Sequence, residues 1–157
     1  MTEPNRPTKQ TTNMRYMMIV KLTEDSEVRR NYEAGKPPSA ELMMAVGQLC
    51  EKMTADATLL GTGGLLPFAK GARIRATKGK LSVTDGPFIE SKEVIGGYAI
   101  LQADSKEAAI QMGKDFLQIH LDVLGAAYEA EMEVREMSEA PEHSPEHTVC
   151  TANTQSA

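Results

Sequence analysis

Two residues that can exchange protons, Asp85 and His120, are the first candidates for chemistry in this sequence. Asp85 ends an alternating stretch just before a turn, where its carboxylate would either accept nearby backbone N–H groups or act as a general base in a cleft. His120 lies near the end of a predicted helix. It would either form an acid–base pair with Asp85 or interact with the helix dipole. The sequence leaves a catalytic and a structural role open for both residues.

The residues that follow this aspartate are candidates for binding a ligand. Gly86 permits a tight turn, Pro87 fixes the next φ and admits a cis peptide bond, and Phe88 is an apolar anchor. Farther on, Lys92 would offer a cation to an acidic ligand and Tyr98 a phenolic hydroxyl. The structural alternatives are an ordinary turn, a solvated lysine and a core tyrosine whose hydroxyl is satisfied.

Three other patterns suggest a phosphate loop, a metal site and a disulfide, but the residues around them do not fit these roles. The glycines within residues 61–64 suggest a phosphate loop, yet no Lys-Ser/Thr pair and no helix follow them. His143 and His147 are separated by a proline, which opposes a helical metal-binding pair. Cys50 and Cys150 are distant, and one of them lies in a polar tail, which opposes a disulfide framework. We therefore expect no metal and no cofactor.

The charge balance limits the classes of partner. The net charge is −5, with 17 basic and 22 acidic residues, so the chain as a whole is acidic. Binding to nucleic acid or to an anionic membrane would need a basic face, so neither is expected. The N-terminal residues contain no apolar segment of the kind found in export signals, and no stretch reaches the roughly 18 apolar residues of a membrane span. We expect a cytoplasmic protein.

The apolar pattern predicts one domain over residues 14–137, between polar tails at 1–13 and 138–157 that we expect to be solvated and disordered. In its first half the spacing predicts a strand (15–22), a loop (23–38), a helix capped by Ser39 and a kinked strand (57–66). A hairpin (72–83) that turns at Lys78-Gly79 and a strand (95–101) follow. The last elements are a helix capped by Asp104 with Glu107 and a strand (129–136). This order indicates an α+β ferredoxin-like sandwich with two helices on one face of an antiparallel sheet.

Such a sheet would have helices on one face and nothing on the other. The simplest cover for the second face is another copy of the same chain, because large exposed apolar patches usually mark interfaces. We therefore expect a homodimer.

The segment Asp85-Gly86-Pro87-Phe88, followed by Glu90-Ser91-Lys92-Glu93 and Gly96-Gly97-Tyr98, resembles the DGPF group of the YCII-related protein family. Further matches are Arg15-Tyr16-Met17-Met18-Ile19-Val20, Gly63-Gly64-Leu65, Lys70-Gly71-Ala72-Arg73 and Glu131-Met132-Glu133-Val134-Arg135. The resemblance implies a dimeric α/β-barrel of ferredoxin-like subunits. Some relatives resemble small lyases or hydrolases that act on ring compounds, and DGPF proteins often accompany extracytoplasmic-function sigma factors.

Two functions remain open at this point. One is a small-ligand-binding or regulatory domain, linked by the resemblance to a sigma-factor pathway. The other is a cofactor-free lyase, isomerase or hydrolase that uses Asp85 with His120 as acid and base. The resemblance also implies a histidine soon after the first strand in the relatives proposed as enzymes. Residues 23–38 of this chain contain no histidine, which favours the binding domain.

Overall fold

The computed structural model describes residues 13–87 and 92–139. The predicted tails lie outside these residues except at residue 13 and at residues 138–139. Along the described chain the elements are β1 (Met14–Leu22), α1 (Glu27–Glu33), α2 (Ala40–Ala55), β2 (Leu59–Gly64), a short 3-10 turn (Phe68–Lys70), β3 (Ala72–Thr77), β4 (Lys80–Asp85), β5 (Val94–Ala103), α3 (Lys106–Leu124) and β6 (Ala130–Glu136).

Two antiparallel sheets make up the strand content of the described residues. The larger sheet has the strand order β2-β5-β1-β6, and the smaller one is the β3–β4 hairpin. The fold is therefore mixed α+β, as the sequence predicts. Neither sheet closes on itself, so the described part of one chain forms no barrel.

One face of the larger sheet forms the core. Along β1 the side chains of Tyr16, Met18 and Leu22 are buried, as are Leu101 and Ala103 of β5. They belong to the same face because successive side chains of a strand alternate. Helices α2 and α3 both pack on this face. The predicted arrangement of two helices over one sheet face is confirmed.

The caps of the two long helices come from serines. The Ser39 side chain accepts the backbone N–H of Leu42 at the start of α2, as the sequence predicts. At the start of α3, Ser105 accepts the N–H of Ala108 at 3.1 Å. The prediction that Asp104 is the cap was wrong by one residue. Ser105 is the cap because it lies three residues before Ala108, whose N–H has no partner within the helix.

Helix α1 lies within residues 23–38, where the sequence predicts a loop, and this prediction was wrong for residues 27–33. Its cap is Ser26, whose hydroxyl accepts the N–H of Arg29 at 3.1 Å and whose side chain is buried. The helix has only 7 residues. Among them Val28 and Tyr32 are the apolar ones, and two residues over two turns are too few to form a recognisable stripe.

The hairpin turns where the sequence predicts. Lys78 and Gly79 both have positive φ, 50° and 75°, as a two-residue turn between twisted strands requires. Every residue of β3 and β4 is exposed to solvent. The hairpin therefore projects from the rest of the described chain.

Gly86 fixes the base of the hairpin. Its N–H donates to the Gly71 carbonyl at 2.9 Å. A Cβ at Gly86 would overlap the carbonyl oxygen of Phe68 in the 3-10 turn, so this position has no room for a side chain. The Gly86-Pro87 peptide bond is cis. The glycine of the Asp-Gly-Pro motif is thus needed for close approach of two backbone segments.

We expect Gly86→Ala to lower the free energy of unfolding by about 2–3 kcal/mol, because the new methyl group must displace backbone atoms rather than a flexible side chain. Urea unfolding followed by circular dichroism measures the change. Gly47→Ala is the matched control, because Gly47 lies inside α2 with open space around its Cβ position. We expect the control to be neutral or up to about 1 kcal/mol more stable. Equal unfolding midpoints for the two variants would contradict this explanation of the motif.

Candidate functional site

A cavity of about 700 Å³ lies between the core face of the sheet and the helices. Its floor includes Met18 and Val20 of β1. Helix α2 provides one wall, α3 another, and α1 with the loop after it contributes the remainder. We call this space the helix-side cavity. Its volume falls within the roughly 300–1,000 Å³ typical of sites for small molecules.

Most of the lining is apolar and flexible. Four methionines contribute to it, together with the half-buried free thiol of Cys50: Met18, Met43, Met53 and Met132. Methionine side chains adapt to irregular shapes because they are unbranched and polarizable. The cavity is therefore suited to an apolar ligand, and its walls can adjust to that ligand's outline.

His120 is the polar group best placed to react or to bind within this lining. Its Nδ1 is 3.0 Å from the carbonyl oxygen of Phe116. A carbonyl only accepts hydrogen bonds, so in the neutral ring Nδ1 carries the proton and Nε2 keeps its lone pair. Burial lowers the pKa of His120 below its ordinary value. The hydrogen bond to the Phe116 carbonyl raises the pKa, but this effect is smaller than that of burial. The imidazole is therefore neutral at pH 7 and has an acceptor at Nε2.

Two aromatic rings hold the imidazole in place. The ring of Tyr128 stacks on it with centroids 5.0 Å apart, and the ring of Phe116 lies at 4.5 Å. Burial raises the pKa of Tyr128 to about 12, so its phenol is also neutral. Tyr128 lines the helix-side cavity as well. No sequence signal identified it, because it lies in a short connection between α3 and β6 where periodicity carries no information.

Helix α1 is attached to two loops by hydrogen bonds. The hydroxyl of Tyr32, itself a lining residue, donates to the Leu65 carbonyl at 2.7 Å. Nη1 of Arg29 donates to the Lys92 carbonyl at 3.0 Å. These bonds fix the helix as a wall of the cavity. The sequence does not predict this contribution, because the pattern of residues 23–38 is typical of a loop.

The structure separates the two candidates for acid–base chemistry. His120 lines the helix-side cavity, whereas Asp85 is exposed at the end of β4 and is not among the lining residues. In the ladder, Asp85 is the backbone partner of Ala72. One subunit therefore does not bring Asp85 and His120 into the same cavity, and their pairing stays a prediction.

The candidates for ligand binding are also dispersed. Gly86 and Pro87 lie at the base of the hairpin and Lys92 is exposed, all of them outside the lining. Tyr98 does border the cavity. Its ring lies beside Gly63, and strand alternation places its side chain on the sheet face opposite that of Ala99. Phe88 lies outside the described residues.

Two further expectations concern metals and membranes. No group of three or more His, Cys, Asp or Glu side chains that could hold a metal ion occurs within residues 13–87 and 92–139. His143 and His147 are outside these ranges. None of the helices in the described part of the chain is long and apolar enough to cross a membrane.

The lowered pKa of His120 predicts a pH effect on stability. Because the folded state holds the proton less tightly than the unfolded state, acid favours unfolding. Stability is full above the ordinary pKa of about 6.5 and falls as the pH drops through it toward the lowered value. We expect the unfolding free energy of the wild type to decrease between pH 7.5 and about 5 more than that of His120→Asn.

The matched control is His143→Asn with His147→Asn, which removes the other two histidines of the sequence. Urea titrations at each pH measure the slopes. The control should keep the wild-type slope, and a control that loses the slope instead would contradict the assignment to His120.

The geometry can be set beside known proteins. A sequence profile described as the YCII-related domain matches residues 14–137. No curated protein is significantly similar to the chain. The matched residues span the elements from β1 to β6 and make up most of the sequence. On this basis, the chain belongs to the YCII-related domain family.

Proposed function

We propose that this protein is a binding domain whose helix-side cavity takes a small, uncharged, mainly apolar molecule with a hydrogen-bond donor directed at His120. The observation that carries the proposal is the mainly apolar cavity of about 700 Å³ lined by His120, whose contact with the Phe116 carbonyl through Nδ1 leaves the lone pair of the neutral ring on Nε2. The two charged side chains of the lining, Glu27 and Lys36, belong to α1 and the loop after it. A charge on the ligand beside His120, next to the rings of Phe116 and Tyr128, would lose its hydration without compensation. A neutral donor would gain a hydrogen bond and bury its apolar remainder.

A catalytic role for the same site is the second candidate. The tautomer of His120 and its lowered pKa give a neutral imidazole at pH 7, which is the form that a general base needs. In this alternative the protein is a cofactor-free lyase, isomerase or hydrolase. Asp85 would have to reach the site from a second copy, since within one subunit it does not line the cavity.

Several finer assignments belong to the same proposal. The Asp85-Gly86-Pro87-Phe88 motif supports placement in the DGPF group and, through that resemblance, a regulatory role in an extracytoplasmic-function sigma-factor pathway. The helices on one sheet face support a ferredoxin-like sandwich. The cytoplasmic location expected from the sequence stays a prediction.

A homodimer is also part of the proposal. The sheet face opposite the helices, which we call the open face, carries the half-buried side chains of Met17, Ile19, Tyr98 and Ile100 in adjacent positions of β1 and β5. Covering such a face with a second copy removes apolar surface from water. The association of two such copies would give the dimeric barrel implied by the resemblance.

Binding can be tested with neutral monocyclic phenols and their methyl ethers, which differ in the hydrogen-bond donor. Isothermal calorimetry should show the phenols binding about tenfold more tightly at pH 7.5, the equivalent of about 1.4 kcal/mol for one hydrogen bond. In His120→Phe, which keeps an aromatic ring but has no acceptor, the two series should bind equally. Phenols and ethers that bind the wild type equally would refute the role of His120.

Filling the cavity gives an independent test of where the ligand binds. Gly47 lines the cavity and has open space around its Cβ position, so Gly47→Leu should fold while occupying the ligand's volume. We expect at least a tenfold loss of phenol binding in this variant. Gln48→Leu adds the same side chain at an exposed position of α2 and should bind normally. Unchanged binding by Gly47→Leu would place the ligand elsewhere.

A further inference from the structure

The β3–β4 hairpin has one apolar and one polar face. In its register Ile74 pairs with Val83 and Ala76 with Leu81, so these four side chains share a face. Arg75 and Ser82 belong to the other face. The alternation is that of a strand pair with one face buried against protein and the other in water.

The apolar face of the hairpin is uncovered in a single chain. Ile74 is 71% exposed, Leu81 is 76% exposed and Val83 is 66% exposed. An isolated two-stranded hairpin is marginally stable in water unless it packs against something else. Three large apolar residues exposed on one face of such a hairpin therefore indicate a docking surface.

The hairpin also carries an excess of positive charge. Its strands and turn contain Arg73, Arg75, Lys78 and Lys80, against the single acid Asp85. The two lysines are at the tip, beside and within the turn. A surface that receives this hairpin should therefore be apolar and bordered by acidic groups.

The open face of the larger sheet has both properties. Its apolar side chains lie at the centre, along β1 and β5. At one end, Lys21 is surrounded by three carboxylates, Glu131, Glu133 and Glu93, of which the last two are 3.5 and 3.6 Å from its ammonium. Arg135 lies 3.5 Å from Glu133 as well, so three acids and two cations leave one excess negative charge at this end of the face.

We propose that the hairpin is an arm that packs its apolar face on the open face of a second copy, with Lys78 and Lys80 reaching the acids around Lys21. The inference rests on the proposed homodimer and specifies which surfaces form it. By symmetry each copy provides one arm and receives the other. The helix-side cavity stays on the opposite side of the sheet from the arm.

The dimensions support the exchange of arms. Four strands about 4.8 Å apart and about 20 Å long give an open face of roughly 400 Å². That area is about half of the roughly 800 Å² that each partner buries in a stable interface. An arm of two strands adds about 200 Å² per copy, which brings the area that each copy buries to roughly 600 Å², the lower end of the usual range. Sheet contact without the arms would be small for a stable dimer.

The first test is the triple variant Ile74→Ser, Leu81→Ser and Val83→Ser, studied by sedimentation equilibrium over a range of concentrations. We expect the dimer dissociation constant to rise at least 100-fold. The control is Thr77→Ala, Ser82→Ala and Thr84→Ala, which changes the polar face of the same two strands. The control should dimerise like the wild type. Equal dissociation constants for the two triple variants would overturn the proposal.

Removing the arm tests the same point without exposing altered side chains. Because the Gly86 N–H donates to the Gly71 carbonyl at 2.9 Å, a short glycine link can replace residues 72–85. The shortened chain should keep the helical circular dichroism signal of the wild type and its binding of phenols but be monomeric. A shortened chain that still dimerises with the wild-type constant would show that the arm is not involved.

The second test locates the docking surface. A benzophenone amino acid in place of Leu81 should cross-link to peptides of β1 or β5, and mixing isotopically labelled with unlabelled protein should show that the link joins two copies. Cross-links within one chain, or to the exposed methionines of α2, would overturn the assignment. If the wild type is monomeric at every concentration, the homodimer and the arm both fail. A dimer cross-linked elsewhere refutes the arm alone.

Discussion

Gly113 brings helix α3 into direct contact with the sheet, and the position of the candidate site depends on this contact. A Cβ at Gly113 would lie 2.9 Å from Sδ of Met132 and 3.4 Å from Sδ of Met18. Phe116 and His120 follow at three and seven residues, which places them on the same side of the helix. The close approach at Gly113 therefore also directs His120 toward the helix-side cavity. A larger residue there would first displace the flexible side chains of Met132 and Met18, which lie between the helix and the sheet.

Much of the architecture could be predicted because burial leaves a periodic trace. The alternation in β6 and in the hairpin, and the glycine after Lys78, predict strands and a turn that the structure contains. The stripe of apolar residues behind Ser39 likewise predicts α2. Helix α1 has too few apolar residues to leave such a trace. The cap of α3 was misplaced because Asp104 and Ser105 are both good capping residues and the sequence does not show which hydrogen bond forms.

The candidate site was harder to predict than the fold. A cavity is the space that elements leave between them, and it depends on distances that no single segment encodes. His120 was identified because histidine is rare and titrates near neutral pH. Tyr128 and Tyr32 were missed because each acts through contacts with residues distant in sequence. The Asp85-Gly86-Pro87 motif drew attention to a turn whose glycine has a clear packing reason, while the cavity lies elsewhere.

Strand β5 is the wall shared by the two sides of the sheet. Its Ala99 faces the helices, whereas the ring of the preceding Tyr98 lies over Gly63 on the open face. The proposed ligand in the helix-side cavity and the proposed second copy on the open face would therefore act on one strand. Thermodynamic linkage then requires reciprocity: any factor by which the ligand changes the association constant is the factor by which association changes the affinity for the ligand. A single rigid strand would in this way let the protein report the concentration of a small molecule as a change in its own assembly.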